Sequence, residues 1–197
     1  MISVREALEI ALRQTKRLPV ELVPLLESAG RVLAEDVATD VDMPPFPRSS
    51  MDGYAVRSED VRNAPAKLAV VGFIPAGSYP NFSLQPGQAA KIMTGAPLPP
   101  GADAVQMVEK TRSREEANMV EILESVAPGN NVSPLGSEAH QGEIVLPAGA
   151  FISPGVVGLL ASVGKGEVPV YRAPSVGILA SGDELVEVTA KPAPGQI

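Results

Sequence analysis

The chain contains no cysteine, which excludes disulfides, thiolate zinc sites and cysteine nucleophiles and fits a reducing compartment. Tryptophan is absent, and aromatics make up only 4% of residues. A single histidine, His140, has no second His or Cys nearby to share a metal with, and is expected to be a surface imidazole. Basic charge is also thin. Sixteen Lys and Arg face 23 Asp and Glu, a net charge of −7, and the basic residues form no dense cluster. A surface that tracks nucleic-acid phosphates needs basic charge gathered on one face, so nucleic acid is excluded as a partner. No apolar run is long enough to span a bilayer. The N-terminal "MISVREALEIALRQTK" lacks the continuous apolar core of a signal peptide, so a cytoplasmic location is expected, with no membrane partner. There is no nucleophile–His pair, no Walker loop and no G-x-G-x-x-G.

What remains is an ordinary globular composition, 45% hydrophobic and 20% charged, over 197 residues. That length allows one large or two small domains with a real core. Eighteen glycines and 20 prolines predict many short strands and ordered turns. "SVREALEIALRQ" begins with a capping box, Ser3 and Glu6. Its apolar residues Val4, Ala7, Leu8, Ala11 and Leu12 line one face, so an amphipathic helix is expected. "ELVPLL" reads as extended, since Pro24 forbids a helix interior. "ESAGRVLAED" reads as a short helix and "DVATDVDM" as an extended exit.

After the prolines of residues 44–49, the runs "YAVR", "AKLAVVGFI", "QAAKIMTG", "ADAVQMVEKT" and "MVEIL" have the cadence of a small β-barrel or sandwich. "RSREEAN" reads as a charged hairpin tip, and "IVLPAGAFI" as a further strand. "SPGVVGLLASVGKG" is a second helix, with Ser153 as N-cap, Pro154 at N1 and Gly164 at C′. "VPVYRAP" is a strand. "SVGILASGDEL" reads as a strand of a parallel sheet running into its loop. A parallel sheet needs crossovers of a dozen or more residues, and only seventeen residues follow Ala180. A truncated third domain is therefore expected.

Two loops stand out. "MPPFPRSSMDGYAV" holds Asp52 behind Pro44, Pro45 and Pro47, with Ser49 and Ser50 beside it. An Asp-Gly pair between extended runs is a hairpin-turn signal. The stiffened approach argues instead for a carboxylate held for presentation. "IMTGAPLPPGADAV" repeats the design. There Thr94 can offer a hydroxyl to an anion and Gly95 can admit backbone amides, or Thr94 can simply cap a turn. Asp103 is expected to satisfy backbone N–H groups. "GSEAHQGE" supplies Glu138 and Glu143. "SGDEL" places Asp183 and Glu184 beyond a strand end, where α/β folds put ligand groups. Carboxylates and hydroxyls on stiff loops suit Mg²⁺, or oxygen-rich anions held through Mg²⁺ and amides.

Taken in order, "MPPFPRSSMDGYAVR", "KIMTGAPLPPGADAVQMVE", "GSEAHQGE", "PGVVGLLASVG" and "VGILASGDELVE…PGQI" closely resemble the MoeA family of molybdopterin molybdenumtransferases, which includes the gephyrin E domain. The resemblance covers essentially the whole chain. It implies a mainly β fold with a few helices (α+β). Subdomain I would comprise residues 1–43 and 130–173, an inserted barrel-like subdomain II residues 44–129, and the start of an α/β, MogA-like subdomain III residues 174–197.

The implied reaction converts adenylylated molybdopterin and molybdate to molybdenum cofactor and AMP, with Mg²⁺ or another divalent cation and a homodimeric enzyme. The resemblance implies Asp52, Thr94 and Glu184 as catalytic residues, and Asp52 as a metal contact. Ser50, Gly95, Glu138 and Asp183 become substrate-binding. Glu138 stands where many members carry Asp, which keeps the charge on a longer arm. The chain alone is expected to be inactive. Two rival readings are a scaffold module of the same family and a generic Mg²⁺-dependent phosphohydrolase.

Overall fold

A computed structural model describes residues 2–114 and 118–197. Strand predominates, with two α-helices among the described residues. Two compact units are formed. Met1–Ala34, Gly149–Ala161 and Lys165–Ile197 make the first; Glu35–Ala148 with Ser162–Gly164 make the second. No helix among the described residues is long and apolar enough to cross a membrane.

In the first unit, helix α1 (Val4–Gln14) starts where its capping residue predicts: the Glu6 amide donates to Ser3 Oγ at 3.2 Å. Its apolar stripe is real, yet no residue of α1 is buried. Strand β1 (Val20–Pro24) follows and pairs antiparallel with the much later β12 (Glu167–Tyr171), Val20 opposite Tyr171. "ESAGRVLAED", expected to be helical, is not a helix. A short 3₁₀ turn at Leu25–Glu27 gives way to Gly30 at φ +80°, a left-handed conformation that stops helix growth. The chain then turns its peptide groups to strand neighbours. Leu33 N–H donates to the Ala150 carbonyl at 2.9 Å, and the Gly149 amide returns a bond to Leu33 at 2.8 Å. Fully buried Leu33 thus joins the core with Val168, Val170, Ile152 and Leu160. Helix α2 (Pro154–Ser162) has its expected ends: the Ser153 carbonyl accepts from Val157, and Gly164 sits at φ +74°.

In the second unit, β2 (Val37–Ala38) pairs antiparallel with β11 (Ile144–Leu146). Strand β3 (Arg48–Ser49) pairs with β10 (Val132–Ser133). The main body is a curled, half-barrel sheet of six strands. These are β4 (Gly53–Val56), β5 (Ala66–Ile74), β6 (Gln88–Ile92), β7 (Ala104–Met107), β8 (Thr111–Arg114) and β9 (Met119–Ile122), in the order β7-β4-β6-β5-β9-β8. β8 and β9 pair antiparallel, and β8 takes in the first three residues of "RSREEAN", expected to be a hairpin tip; residues 115–117 lie outside the described residues. Strand β4 lies between β6 and β7, and all four of its residues are buried. Alternation sends Tyr54 and Val56 into a cluster with Val61, Leu68, Ala104, Val120 and Ile122, and Ala55 into one with Ile74, Leu84, Ala90, Ile92 and Val105.

The strand expected at "SVGILA" does not form. Residues 174–181 carry neither helix nor strand. Ile178 and Leu179 are 92% and 93% exposed, and without a neighbouring strand a ladder has nowhere to place its N–H and C=O groups. The MogA-like opening strand is therefore absent from the observed architecture. In hydrogen exchange, the amides of Val176, Ile178 and Leu179 are expected to exchange at close to unprotected rates. The bonded amides of Leu33 and Tyr171 should be protected by several orders of magnitude. Comparable protection of both sets would contradict this assignment.

Candidate functional site

The site is built on the loop of residues 43–52, whose peptide groups are bonded along both flanks. Toward residues 93–98, Ser49 donates to Ala96 at 2.9 Å, Gly95 to Ser49 at 2.8 Å and Leu98 to Pro47 at 2.9 Å. Toward residues 131–139, Ser50 donates to Asn131 at 2.9 Å, Gly136 to Pro44 at 2.9 Å and Glu138 to Met43 at 2.8 Å. The two loops singled out by composition are therefore laid side by side.

Asp52 is not in a hairpin turn. The strands before and after it, β3 and β4, pair with β10 and with β6 and β7, not with each other. Gly53 does not supply a positive φ either; it is the first residue of β4. Its lack of a side chain has another reason: a Cβ there would lie 2.0 Å from the Gln106 carbonyl oxygen. Only glycine permits that approach between β4 and β7.

The Asp52 carboxylate is exposed, and one oxygen takes both bonds from Thr94. The Thr94 amide and the Thr94 hydroxyl each donate to Oδ1 at 2.7 Å. Oδ2 is left open for a ligand. These bonds favour the charged form and hold the Asp52 carboxyl below the usual aspartate range. The Thr94 hydroxyl acts most strongly, then its amide, with desolvation acting the other way.

The other expected residues fall into three groups. Gly95 adopts φ +82°, and its own amide donates to the Ser49 carbonyl at 2.8 Å. Ser50 Oγ lies 3.1 Å from Ser133 Oγ. Glu138 accepts from Arg48 Nη2 at 2.6 Å. Asp183 and Glu184 belong to the other compact unit, on an exposed turn closed by Ile197 N–H to the Glu184 carbonyl at 2.7 Å.

Asp103 does what a structural aspartate does. Its two oxygens take the Ser58 amide at 2.6 Å and the Ser58 hydroxyl at 2.7 Å. His140 is exposed, with Nδ1 3.5 Å from Asp42. Sequence reasoning overlooked Arg48 and Ser133. Arg48 was visible as the lone cation of its loop, whereas nothing in the sequence pointed to Ser133.

Among the described residues, no group of three or more His, Asp or Glu side chains could hold a metal. A dedicated cage is therefore not built. A Mg²⁺ that keeps most of its waters and leans on one carboxylate and on substrate phosphates does fit the open Oδ2 of Asp52.

Removing the Thr94 hydroxyl tests the junction. Thr94→Val should raise the Asp52 titration toward the ordinary aspartate range, as read by carboxyl ¹³C shifts. In the wild type the folded-state pKa is depressed. The stabilising contribution of Asp52 is thus present above the unfolded value and lost as pH falls through the lower folded one. An unchanged titration in Thr94→Val would contradict the assigned cause.

A family model described as "MoeA N-terminal region (domain I and II)" matches residues 2–164. The molybdopterin molybdenumtransferase of Nostoc sp. is 43% identical over 205 residues, covering all of this chain and 47% of that protein. The enzyme of the same name from Bacillus subtilis is 41% identical over 202 residues, with the same coverage. A crystal structure of the molybdopterin biosynthesis moeA protein from Pyrococcus horikoshii superposes with a TM-score of 0.86 at 39% identity, covering 97% of this chain and 51% of that one. The chain thus spans about half the length of these relatives, and it belongs to the family of the MoeA N-terminal region.

Proposed function

We propose that this chain supplies one part of a molybdopterin molybdenumtransferase site. In that reaction, molybdate and adenylylated molybdopterin give molybdenum cofactor and AMP. The observation that carries the reading is the Asp52–Thr94 junction, an ionised carboxylate locked through one oxygen with the other open, on a loop pinned along both flanks. The name shared by the relatives, molybdopterin molybdenumtransferase, supports this reading. Asp52 is the group that organises the polar reactants, with Thr94 fixing its orientation and charge. The active enzyme is a homodimer, and Mg²⁺ or another divalent cation, held at Asp52, would neutralise phosphate charge. In the same reading Asp183 is a substrate-binding and Glu184 a catalytic group. Further basic groups that grip the nucleotide phosphates belong to the half of the relatives' length that this chain does not match. A scaffold role without catalysis is the second reading; retention of both Asp52 and Thr94 in hydrogen-bond contact favours the enzyme.

Two assays check this. Residues 1–197 alone should release no AMP from adenylylated molybdopterin in a molybdate-dependent manner. Joined to the second half of the Nostoc relative, the chain should do so, and Asp52→Ala should cut that turnover by a hundredfold or more, since charge organisation at a reacting centre is worth that much. An exposed aspartate replaced by Ala typically costs about 1 kcal/mol or less in stability, so urea unfolding should barely move. Full activity in Asp52→Ala would sink the proposal.

A further inference from the structure

Arg48 is the one basic side chain in "MPPFPRSSMDGYAV". Its backbone is held between the two flanks of the site loop, opposite Ser133 in the β3–β10 pair and bridged to Pro97 on the other side. Directly opposed in the antiparallel β3–β10 pair, Arg48 and Ser133 share one face, Ser50 Oγ reaches Ser133 Oγ there, and Ser49 is buried on the other face. That shared face therefore carries a guanidinium, the Ser50–Ser133 hydroxyl pair and Glu138.

The ion pair is open to exchange. Nη2 alone reaches Glu138, and the side chains are 37% and 53% exposed. A guanidinium has five N–H donors, and the bond to Glu138 engages Nη2. Exposed pairs of this kind are weak, whereas a planar donor fork matches a tetrahedral oxyanion closely. In the serine pair one hydroxyl donates to the other, which leaves one proton for a ligand.

We propose that Arg48 is an oxyanion-binding residue beside Asp52. It takes a tetrahedral dianion, molybdate or a nucleotide phosphate, on the guanidinium edge that Glu138 leaves free, with the Ser50–Ser133 pair as a further donor. The inference rests on the preceding functional reading for the supply of such a group. Glu138 is then a positioning residue, not a substrate contact. It fixes the guanidinium through one corner, and its charge keeps the bound anion exchangeable.

The test titrates ¹⁵N-labelled chain with molybdate and, separately, with AMP. Ionic strength is held constant with sodium chloride, and Arg48 Nε–H and the Ser50 and Ser133 amides are followed. Saturable shifts at Arg48 are expected with at least one probe, and the probe that saturates identifies the source of the oxyanion. Arg48→Gln should weaken binding at least tenfold, and Arg48→Lys should fall between it and wild type. Glu138→Gln, which keeps the acceptor and removes the repelling charge, should tighten it severalfold. The β4 amides report whether each variant keeps the fold.

Shifts that never saturate with either probe, or an Arg48→Gln variant that binds like wild type, would overturn the oxyanion site. Weaker binding in Glu138→Gln would overturn the positioning role. None of these variants alters Asp52 or Thr94. Full transferase activity in Asp52→Ala would thus remove the catalytic reading and leave the Arg48 contact standing, and an unchanged Arg48→Gln titration would do the reverse.

Discussion

A loop can hold a carboxylate still only if its own peptide groups are bonded elsewhere. The segment from Met43 to Asp52 meets that condition on both flanks, against residues 93–98 and 131–139. Three prolines shorten the list of N–H groups to be satisfied and narrow the conformations that must be given up. At its end the loop is fixed by steric exclusion. The β4 and β7 backbones come so close at Gly53 that no side chain fits beneath the Gln106 carbonyl, and Asp52 is carried to one place by the strand that follows it. The Thr94 bonds then set which oxygen is used and which is free. Position comes from the sheet, orientation and charge from the neighbouring loop.

The two proline-rich loops look alike in sequence and use their aspartates differently. Asp103 gives both oxygens to Ser58, forty-five positions away, and becomes part of the scaffold. Asp52 gives up one oxygen and keeps the other for a ligand. Spacing could not separate these cases, because the deciding partner is remote in the chain and its direction depends on the fold.

Local signals were legible wherever the physics is local. Ser3 and Ser153 with Pro154 and Gly164 mark helix ends through groups a few residues away, and the strand-like runs at β4 to β7 and β9 declare strands, whereas β8 runs into a stretch that reads as a charged hairpin tip. The signals failed where a remote partner decides. Leu33 lies in a stretch with helical composition, but its peptide bonds go to residues 149 and 150. "SVGILA" has strand composition and no strand beside it. The parallel pairing of β5 with β6, in a sheet otherwise antiparallel, was equally hidden. The Asp-Gly pair at 52–53 was misleading for a related reason: the glycine answers to a backbone three strands later in sequence, not to a turn.

The first unit closes through β1 and β12, and Glu35–Ala148 lies in the chain between them. On the ribosome this ordering has a temporal meaning. Val20 and Leu22 emerge early, on a strand whose ladder partner among the described residues is encoded near residue 170. At typical synthesis rates that partner follows roughly ten to thirty seconds later. The intervening segment holds its own six-stranded sheet and its own apolar clusters, so it can complete its folding within that interval. The inserted body is thus the natural first product of synthesis. The unit that surrounds it in sequence must keep an unpaired strand edge from other chains until Glu167–Tyr171 has been made.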